Sequence, residues 1–420
     1  MKVLIAGGGI AGLIMGLTLH QLGIPFHLYE RVKTAKPLGV GVNLQPTAVR
    51  ELFSLGLAKT LAKIGVETRD YGFYTRSGVE IWTEPRGRDA GYNWPQFSVH
   101  RGKLQMALIR AVQEHCGMSS ISFGCKALGF KQTDGDVTLH FETERGRQAA
   151  TGDFLIAADG IHSALRAQMV PNEGPPIWNG AVMWRGTTVA KPFLSDASMI
   201  LAGNDSERFV AYPISNPDPL TGDAVINWIA EKTVPLETDV DKGNWNKAVS
   251  IDRFRATFAN WDFGWINVPA LIAHASRVYE YPMVDRDPLS TWTKGRVTLI
   301  GDAAHATYPV GSSGASQAIL DARHLGAALK KHTDPHAAAV DYEARVRPIA
   351  NKVIIANRTS GGPDAIMQIA EDRCDGDFTQ LDTLLPYEER AAHAEAFKKI
   401  AGISVAATNT ESPIIVGHLG

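Results

Sequence analysis

The apolar positions of this chain gather into a few short runs, and glycines interrupt the runs at both ends. Residues 3–6, VLIA, are wholly apolar and pass straight into three glycines, so Lys2 to Ala6 reads as a short strand that ends in a tight turn. Apolar residues resume and continue to Leu19, predicting a helix that ends near Gly23, and Phe26 to Glu30 reads as a second strand. Far downstream, Val297 to Ile300 again reads as a buried strand. Ala315, Ala318, Ile319 and Ala322 then recur at helical spacing, so the Pro- and Gly-containing loop between lies at the carboxyl end of a strand and faces a helix N-terminus. Between these ends, at roughly 175–285, the runs GAVMWRGTTV, RFVAYPI and AVINWIA alternate as strands of a covering sheet. A long helical region is predicted from about His336 to Met367. The closing ESPIIVGHLG carries neither an amphipathic helix nor a lipidation signal.

Residues 3–19 hold no charge, which raises the question of a membrane anchor or signal peptide. Five glycines and a marginal length argue against both, and the glycines fall in register. Gly7, Gly9 and Gly12 form G-x-G-x-x-G between strand and helix, with Glu30 ending the next strand twenty-one residues past Gly9. That unit is a dinucleotide fingerprint. The first glycine allows the turn, the second lets backbone approach a pyrophosphate and the third lets helix pack on strand, while Ile10 and Ala11 open the helix whose N-terminus favours the phosphate charge. Glu30 would accept hydrogen bonds from both hydroxyls of an unphosphorylated ribose, which points to FAD or NAD.

The second loop, almost 290 residues downstream, favours FAD, because the ribityl chain and ring of FAD extend beyond the mononucleotide half. Asp302 is placed to accept from a ribityl hydroxyl. Gly311, Gly314 and Ala315 lie at the start of the following helix, whose positive end would face the side of the flavin where negative charge collects on reduction.

Three motifs in order carry a family resemblance: Gly7 to Gly12, the D-G-x-x-S-x-x-R of Asp159 to Arg166, and the G-D pair Gly301-Asp302. With PLGVGVNLQPTAV, HRGKLQMAL, MWRG, YPMVDRDPL and GASQAILDA, the chain resembles the single-component FAD-dependent aromatic hydroxylases of the p-hydroxybenzoate hydroxylase type, nearest to those that modify phenazines, from Val3 to about Asn357. The resemblance implies an α/β fold: a Rossmann-like FAD-binding domain with an inserted mixed β-sheet substrate domain and a C-terminal helical region. It divides the chain into 1–174 (FAD-binding, first part), 175–285 (substrate-covering sheet), 286–360 (FAD-binding, second part, and long helix) and 361–420 (helical tail).

It further implies FAD held non-covalently, NADH or NADPH as a transient co-substrate, and O2, with a flavin C4a-hydroperoxide attacked by an electron-rich ring. Arg101 would reach the pyrophosphate. Arg31 would sit by the adenosine, Cys125 would offer backbone near the adenine, and Gly41 and Val42 would lie in a glycine-rich loop close to the flavin ring. Asp159 would serve FAD and the passing nicotinamide nucleotide, supported by Arg166. Pro309 would form a wall that excludes water. In many relatives proline follows the histidine of GDAAH, whereas Ala306 stands here, so His305 and Tyr308 read equally as core or pocket. Trp184, Arg185, Tyr212, Trp228, Tyr281 and Met283 are candidates to face the substrate, with plain core packing the alternative for each aromatic. Arg185 is the sharper case, since an arginine within an apolar strand needs an anionic partner, and a carboxylated or phenolate substrate would supply one.

A formal net charge of -2 gives no reason to expect nucleic acid or a membrane surface as partner. Three cysteines, Cys116, Cys125 and Cys374, form no CxxC pair, so neither a disulfide framework nor a metal site is expected, and a reducing cytoplasm fits. The expected partner is a small aromatic substrate, and the chain a monomer or homodimer. A flavin oxidase or dehydrogenase, a halogenase on the same fold, or a non-catalytic flavin-binding regulator are the alternatives; WDFGWINVP does not match the tryptophan motif of halogenases.

Overall fold

The computed structural model describes the chain apart from residues 38, 239–246, 360–361, 401–403, 411–413 and 416–420. The reading of ESPIIVGHLG therefore falls largely outside the described residues.

The first strand, predicted from Lys2, runs Val3–Ala6; it is fully buried and lies in the middle of a six-stranded sheet in the order Thr293–Lys294, Val297–Leu299, Phe154–Ala157, Val3–Ala6, Phe26–Glu30, Ile121–Phe123. Its neighbours run parallel to it, so the loops after residues 6, 157 and 299 all emerge at one end. The order therefore gathers the three separated motifs at the carboxyl ends of adjacent strands, where an open α/β sheet forms its binding crevice. Helices Ile10–Gln21 and Gly314–Lys331 pack together there, and a Cβ on Gly326 would lie 2.2 Å from Thr18 Cγ2.

A second sheet has eight strands, in the order Lys247–Ala248, Val278–Asp285, Ile177–Ala190, Ala224–Thr233, Glu207–Pro213, Ser198–Gly203, Asp70–Tyr74, Glu80–Pro85. The strand runs read near 180–189, 208–214 and 224–230 are its centre. It also takes in residues 70–85, which the sequence division places with the first FAD-binding part. Both faces are covered. One packs Trp184, Trp228, Phe209, Phe254 and Phe258 into an aromatic core, and the other carries Tyr71, Phe73, Met199, Leu201 and Tyr212 against Ile366, Met367 and Ala370.

The long C-terminal helix is shorter than expected. Pro335–Thr359 is one helix and Ala365–Cys374 another, because Gly362 takes a left-handed φ of +65° and Pro363 follows it. The break turns the second helix onto the sheet face that holds Tyr212.

Gly41 and Val42 also depart from expectation, lying in a strand, Gly41–Leu44, paired with Gln96–His100 in a three-stranded sheet. The glycine is required by close approach: a Cβ there would sit 2.5 Å from Tyr212 Cε2 and 2.7 Å from Asn227 Cγ. No helix among the described residues is long and apolar enough to cross a membrane.

Candidate active site

Each fingerprint glycine has a distinct steric reason. Gly7 has φ +110°, and a Cβ would lie 2.2 Å from the Ala158 carbonyl oxygen, where the neighbouring strand passes. A Cβ on Gly12 would lie 2.0 Å from the Gly7 carbonyl oxygen, so this glycine lets the helix sit on the turn. Gly9 meets nothing within 4 Å; it faces open space at the start of Ile10–Gln21, a helix end that no side chain caps. Those first-turn amides suit a phosphate. Glu30 is buried, and its carboxylate accepts from the Gly8 amide at 2.5 Å and the Val32 amide at 2.8 Å, which fixes it at the turn. Gln105, not singled out from sequence, donates to the Gly8 carbonyl at 2.8 Å. Arg31 is exposed and near enough to His162 to join Arg286 in lowering the imidazole pKa, an effect led by burial. The Cys125 amide is not a free donor: it bonds to the Glu30 carbonyl at 2.8 Å, continuing the parallel pairing of Phe26–Glu30 with Ile121–Phe123.

Asp159 accepts from Ser163 Oγ at 2.5 Å and from the Ala164 amide at 3.0 Å, capping helix Ala164–Met169. Burial raises its pKa while those hydrogen bonds pull the other way. Arg166 does not support Asp159 as expected. The helix that begins at Ala164 carries its guanidinium inward, where it pairs with Glu173 and donates to the carbonyls of Ala303 at 3.0 Å, Ala304 at 2.8 Å and Asp287 at 2.9 Å. Its work is to tie the second motif to the turn of the third.

That turn is held from the other side as well. The Gly301 amide donates to Asp321 Oδ2 at 2.7 Å, and the same oxygen lies 2.6 Å from His305 Nε2. Gly301 has φ +59°, and a Cβ on it would approach Ala11 Cβ to 3.0 Å, so the third motif presses on the fingerprint helix. His305 is thereby core, its ring tilted against that of Trp292 with 5.2 Å between centres. Asp302 is exposed at the first position of the short helix Asp302–His305. Tyr308 is buried beside Met183 and Met283, and burial pushes its hydroxyl up to about 12. Pro309 is exposed, and Gly311 (φ +71°) and Ser312 (φ +50°) bend the chain into helix Gly314–Lys331, whose N-terminus has no side-chain cap. A Cβ on Gly314 would meet only open space, and Ala315 follows in the first turn.

The sheet face whose Met183 and Met283 meet Tyr308 and Val310 also carries polar side chains. Arg185 Nη2 donates to the Gly41 carbonyl at 3.2 Å, its guanidinium carbon lies 5.8 Å from the Tyr281 ring centre, and its buried Nε has no partner. No carboxylate among the described residues pairs with it; burial and Arg101 lower its pKa, while Tyr212 and Tyr281 oppose them. Asn227, missed from sequence, accepts from the Gly41 amide at 2.6 Å. Tyr212 is pushed up to about 12 by burial, against the pull of Arg185 and Asn43. Arg101 is exposed at the first position of helix Arg101–Cys116, its amide bonded to the Val40 carbonyl at 2.9 Å. Met283 lies on the Arg185 face of the sheet. Trp184 and Trp228 do not: successive residues of a strand alternate, and these two bond to Glu280 (2.9 Å) and Thr188 (3.0 Å) within the opposite core.

The sequence model of the FAD binding domain family matches residues 1–356. The phenazine 1,6-dicarboxylic acid hydroxylase of Lysobacter antibioticus is 41% identical over 362 residues, covering 85% of this chain and 89% of that protein. This chain belongs to the FAD-dependent aromatic hydroxylases. The aurachin C monooxygenase/isomerase of Stigmatella aurantiaca is 32% identical over 348 residues, covering 82% of this chain and 84% of that one. Among solved structures, Klebsiella pneumoniae HpxO complexed with FAD and uric acid aligns at a TM-score of 0.73 with 25% identity, over 97% of this chain and 96% of its own. A salicylate hydroxylase substrate complex aligns at 0.73 with 20% identity, over 100% and 99%, and shares the fold. The hydroxylase is an oxidoreductase with FAD as its cofactor. The residues fit that group: two uncapped helix N-termini, at Ile10 and Gly314, open beside glycines whose missing Cβ atoms leave free space.

Proposed function

We propose that the hydroxylase inserts one oxygen atom into a heteroaromatic or aromatic acid whose anionic group is held by Arg185. The observation that carries this reading is the unpartnered, buried Nε of a permanent cation on the sheet face opposite the Pro309–Ala315 loop. Relatives named for phenazine dicarboxylic acid and 3-amino-4-hydroxybenzoate support a carboxylated ring.

In this reading Gly7, Gly9, Ile10, Ala11 and Gly12 cradle the pyrophosphate, Glu30 takes the ribose, Asp302 the ribityl chain, and Gly311, Gly314 and Ala315 the ring, with Arg31, Arg101 and Asp159 at the nucleotide's flanks. FAD, reduced by NADH or NADPH, supplies the activated oxygen from O2. The protein's part is placement and dryness. Arg185 orients the substrate anion, Gly41 and Val42 bring backbone close to the ring, and Pro309 and Val310 close the wall against water. Tyr212, neutral near neutral pH with its pKa at about 12, donates or accepts a hydrogen bond and is no general base. The sheet of residues 175–285 covers the substrate, and the enzyme works in the cytoplasm as a monomer or homodimer.

The test is oxidation of NADH and NADPH by the flavin-loaded enzyme against pairs of aromatic acids and their uncarboxylated parents. Hydroxylated product should form with an acid and not with its parent. Equal turnover of both members of every pair would overturn the reading.

A further inference from the structure

Asn227 and Arg185 end on the same residue. Asn227 Oδ1 takes the Gly41 amide hydrogen at 2.6 Å, and Arg185 Nη2 donates to the Gly41 carbonyl at 3.2 Å. In the sheet, Arg185 stands opposite Ile229 on the neighbouring strand, so Asn227, two residues away, is its diagonal neighbour on one face. The bond from Gly41 fixes the orientation of the Asn227 amide: a backbone N–H needs an acceptor, so the oxygen must face the glycine and Nδ2 becomes the free branch. That nitrogen is buried in a residue with 0% exposure, and it has no partner among the described residues. Arg185 Nε, on the same face of the sheet, has none among them either. Asn43 is already engaged: its Oδ1 accepts from Ser98 Oγ at 2.7 Å and its side chain hydrogen-bonds Tyr212.

Two buried nitrogen donors, Asn227 Nδ2 and Arg185 Nε, thus lie on the side chains that bond Gly41, and the Asn227 acceptor oxygen is already engaged. Leaving such donors unpaired is costly, and only a group rich in acceptors and poor in donors satisfies them. A carboxylate answers that description. An amide or an alcohol would bring hydrogens of its own, and an unsubstituted ring would leave the donors unmet.

We propose that Asn227 Nδ2, together with Arg185 Nε, binds the carboxylate of the substrate, making Asn227 the residue that selects the acid over its neutral analogues. The proposal rests on the reading that an anionic ring occupies this face.

The test uses the FAD-loaded enzyme and follows ligand binding by the change in flavin absorbance. The probes are phenazine-1-carboxylate with phenazine, 3-amino-4-hydroxybenzoate with 2-aminophenol, and salicylate with phenol. Wild type should prefer the acid in at least one pair. Asn227→Asp keeps an oxygen for the Gly41 amide and turns the donor into an anionic acceptor. It should weaken that acid by about 100-fold or more and its parent by less than about threefold, with unchanged flavin content. Asn227→Ala should weaken the acid by about tenfold, and it serves if the aspartate variant does not fold. Retained acid affinity in either folded variant overturns the assignment, as does equal loss for acid and parent. Loss of flavin would assign the donor to the cofactor instead and equally overturns it. A wild type with no preference in any pair overturns the underlying reading, whereas a wild-type preference that Asn227 variants keep overturns the role of Asn227 alone.

Discussion

His305 Nε2 lies 2.6 Å from Asp321 Oδ2, both side chains are buried, and the Gly301 amide donates to the same oxygen. The pair therefore fastens the turn that presents Asp302 to the helix that opens at Gly314. Burial pulls the His305 pKa down, but the charge and hydrogen bond of Asp321 push it further up, so the net shift is upward from 6.5. A raised folded-state value means that protonation stabilises the fold: the contribution is complete below pH 6.5 and fades as the pH climbs through the folded value. The difference in thermal midpoint between wild type and His305→Gln should be largest near pH 6 and shrink toward pH 9. A gap independent of pH would show that folding leaves the His305 pKa unshifted, and a gap that grew with pH would show that His305 is held neutral.

Gly41→Ala should destabilise the protein by about 1 to 3 kcal/mol, because its Cβ would enter the space of Tyr212 and Asn227 at 2.5 to 2.7 Å and both are buried. Equilibrium unfolding in urea measures this. An unchanged midpoint would mean that the strand can slide away from the sheet.

Asp302→Ala should lower FAD occupancy sharply while leaving the stability of the flavin-free protein unchanged, since the carboxylate is exposed at the turn. Flavin content by absorbance, with melting of the apoprotein, checks both halves. Full occupancy would remove Asp302 from the cofactor site.

Arg166→Ala should behave as a stability mutant, costing roughly 1 to 3 kcal/mol, because it leaves Glu173 with Arg286 as its remaining cation and frees the Ala303 and Ala304 carbonyls. Denaturant unfolding of the flavin-free variant measures it. A stable variant that lost only its response to NADH or NADPH would return Arg166 to the nucleotide.

The parts of the site legible in the sequence are those in which neighbouring residues carry their own reason. Gly7, Gly9 and Gly12 follow a strand and open a helix, and Arg185 is a permanent cation in an apolar run, so each announces its chemistry locally. What stayed hidden depends on phase or on distance along the chain. Both faces of the large sheet are buried, so alternation could not tell that Arg185 and Met283 share one face while Trp184 and Trp228 occupy the other. The bond from Gly41 to Asn227 spans 186 residues, and nothing in VNLQ or VINW signals it. Arg166 sits in a recognisable motif, yet its guanidinium is directed by partners more than a hundred residues away at Asp287, Ala303 and Ala304.

The central claim is that Arg185 holds the substrate anion, and the ratio of hydroxylated product to NADH or NADPH consumed by Arg185→Ala tests it most directly. Misplacing a ring by about an ångström can cost ~100-fold in rate, so the variant should keep its FAD and its thermal midpoint while the reducing equivalents appear as hydrogen peroxide and product falls away. A stable, flavin-loaded Arg185→Ala that still couples NADH or NADPH to product as wild type does would contradict the account.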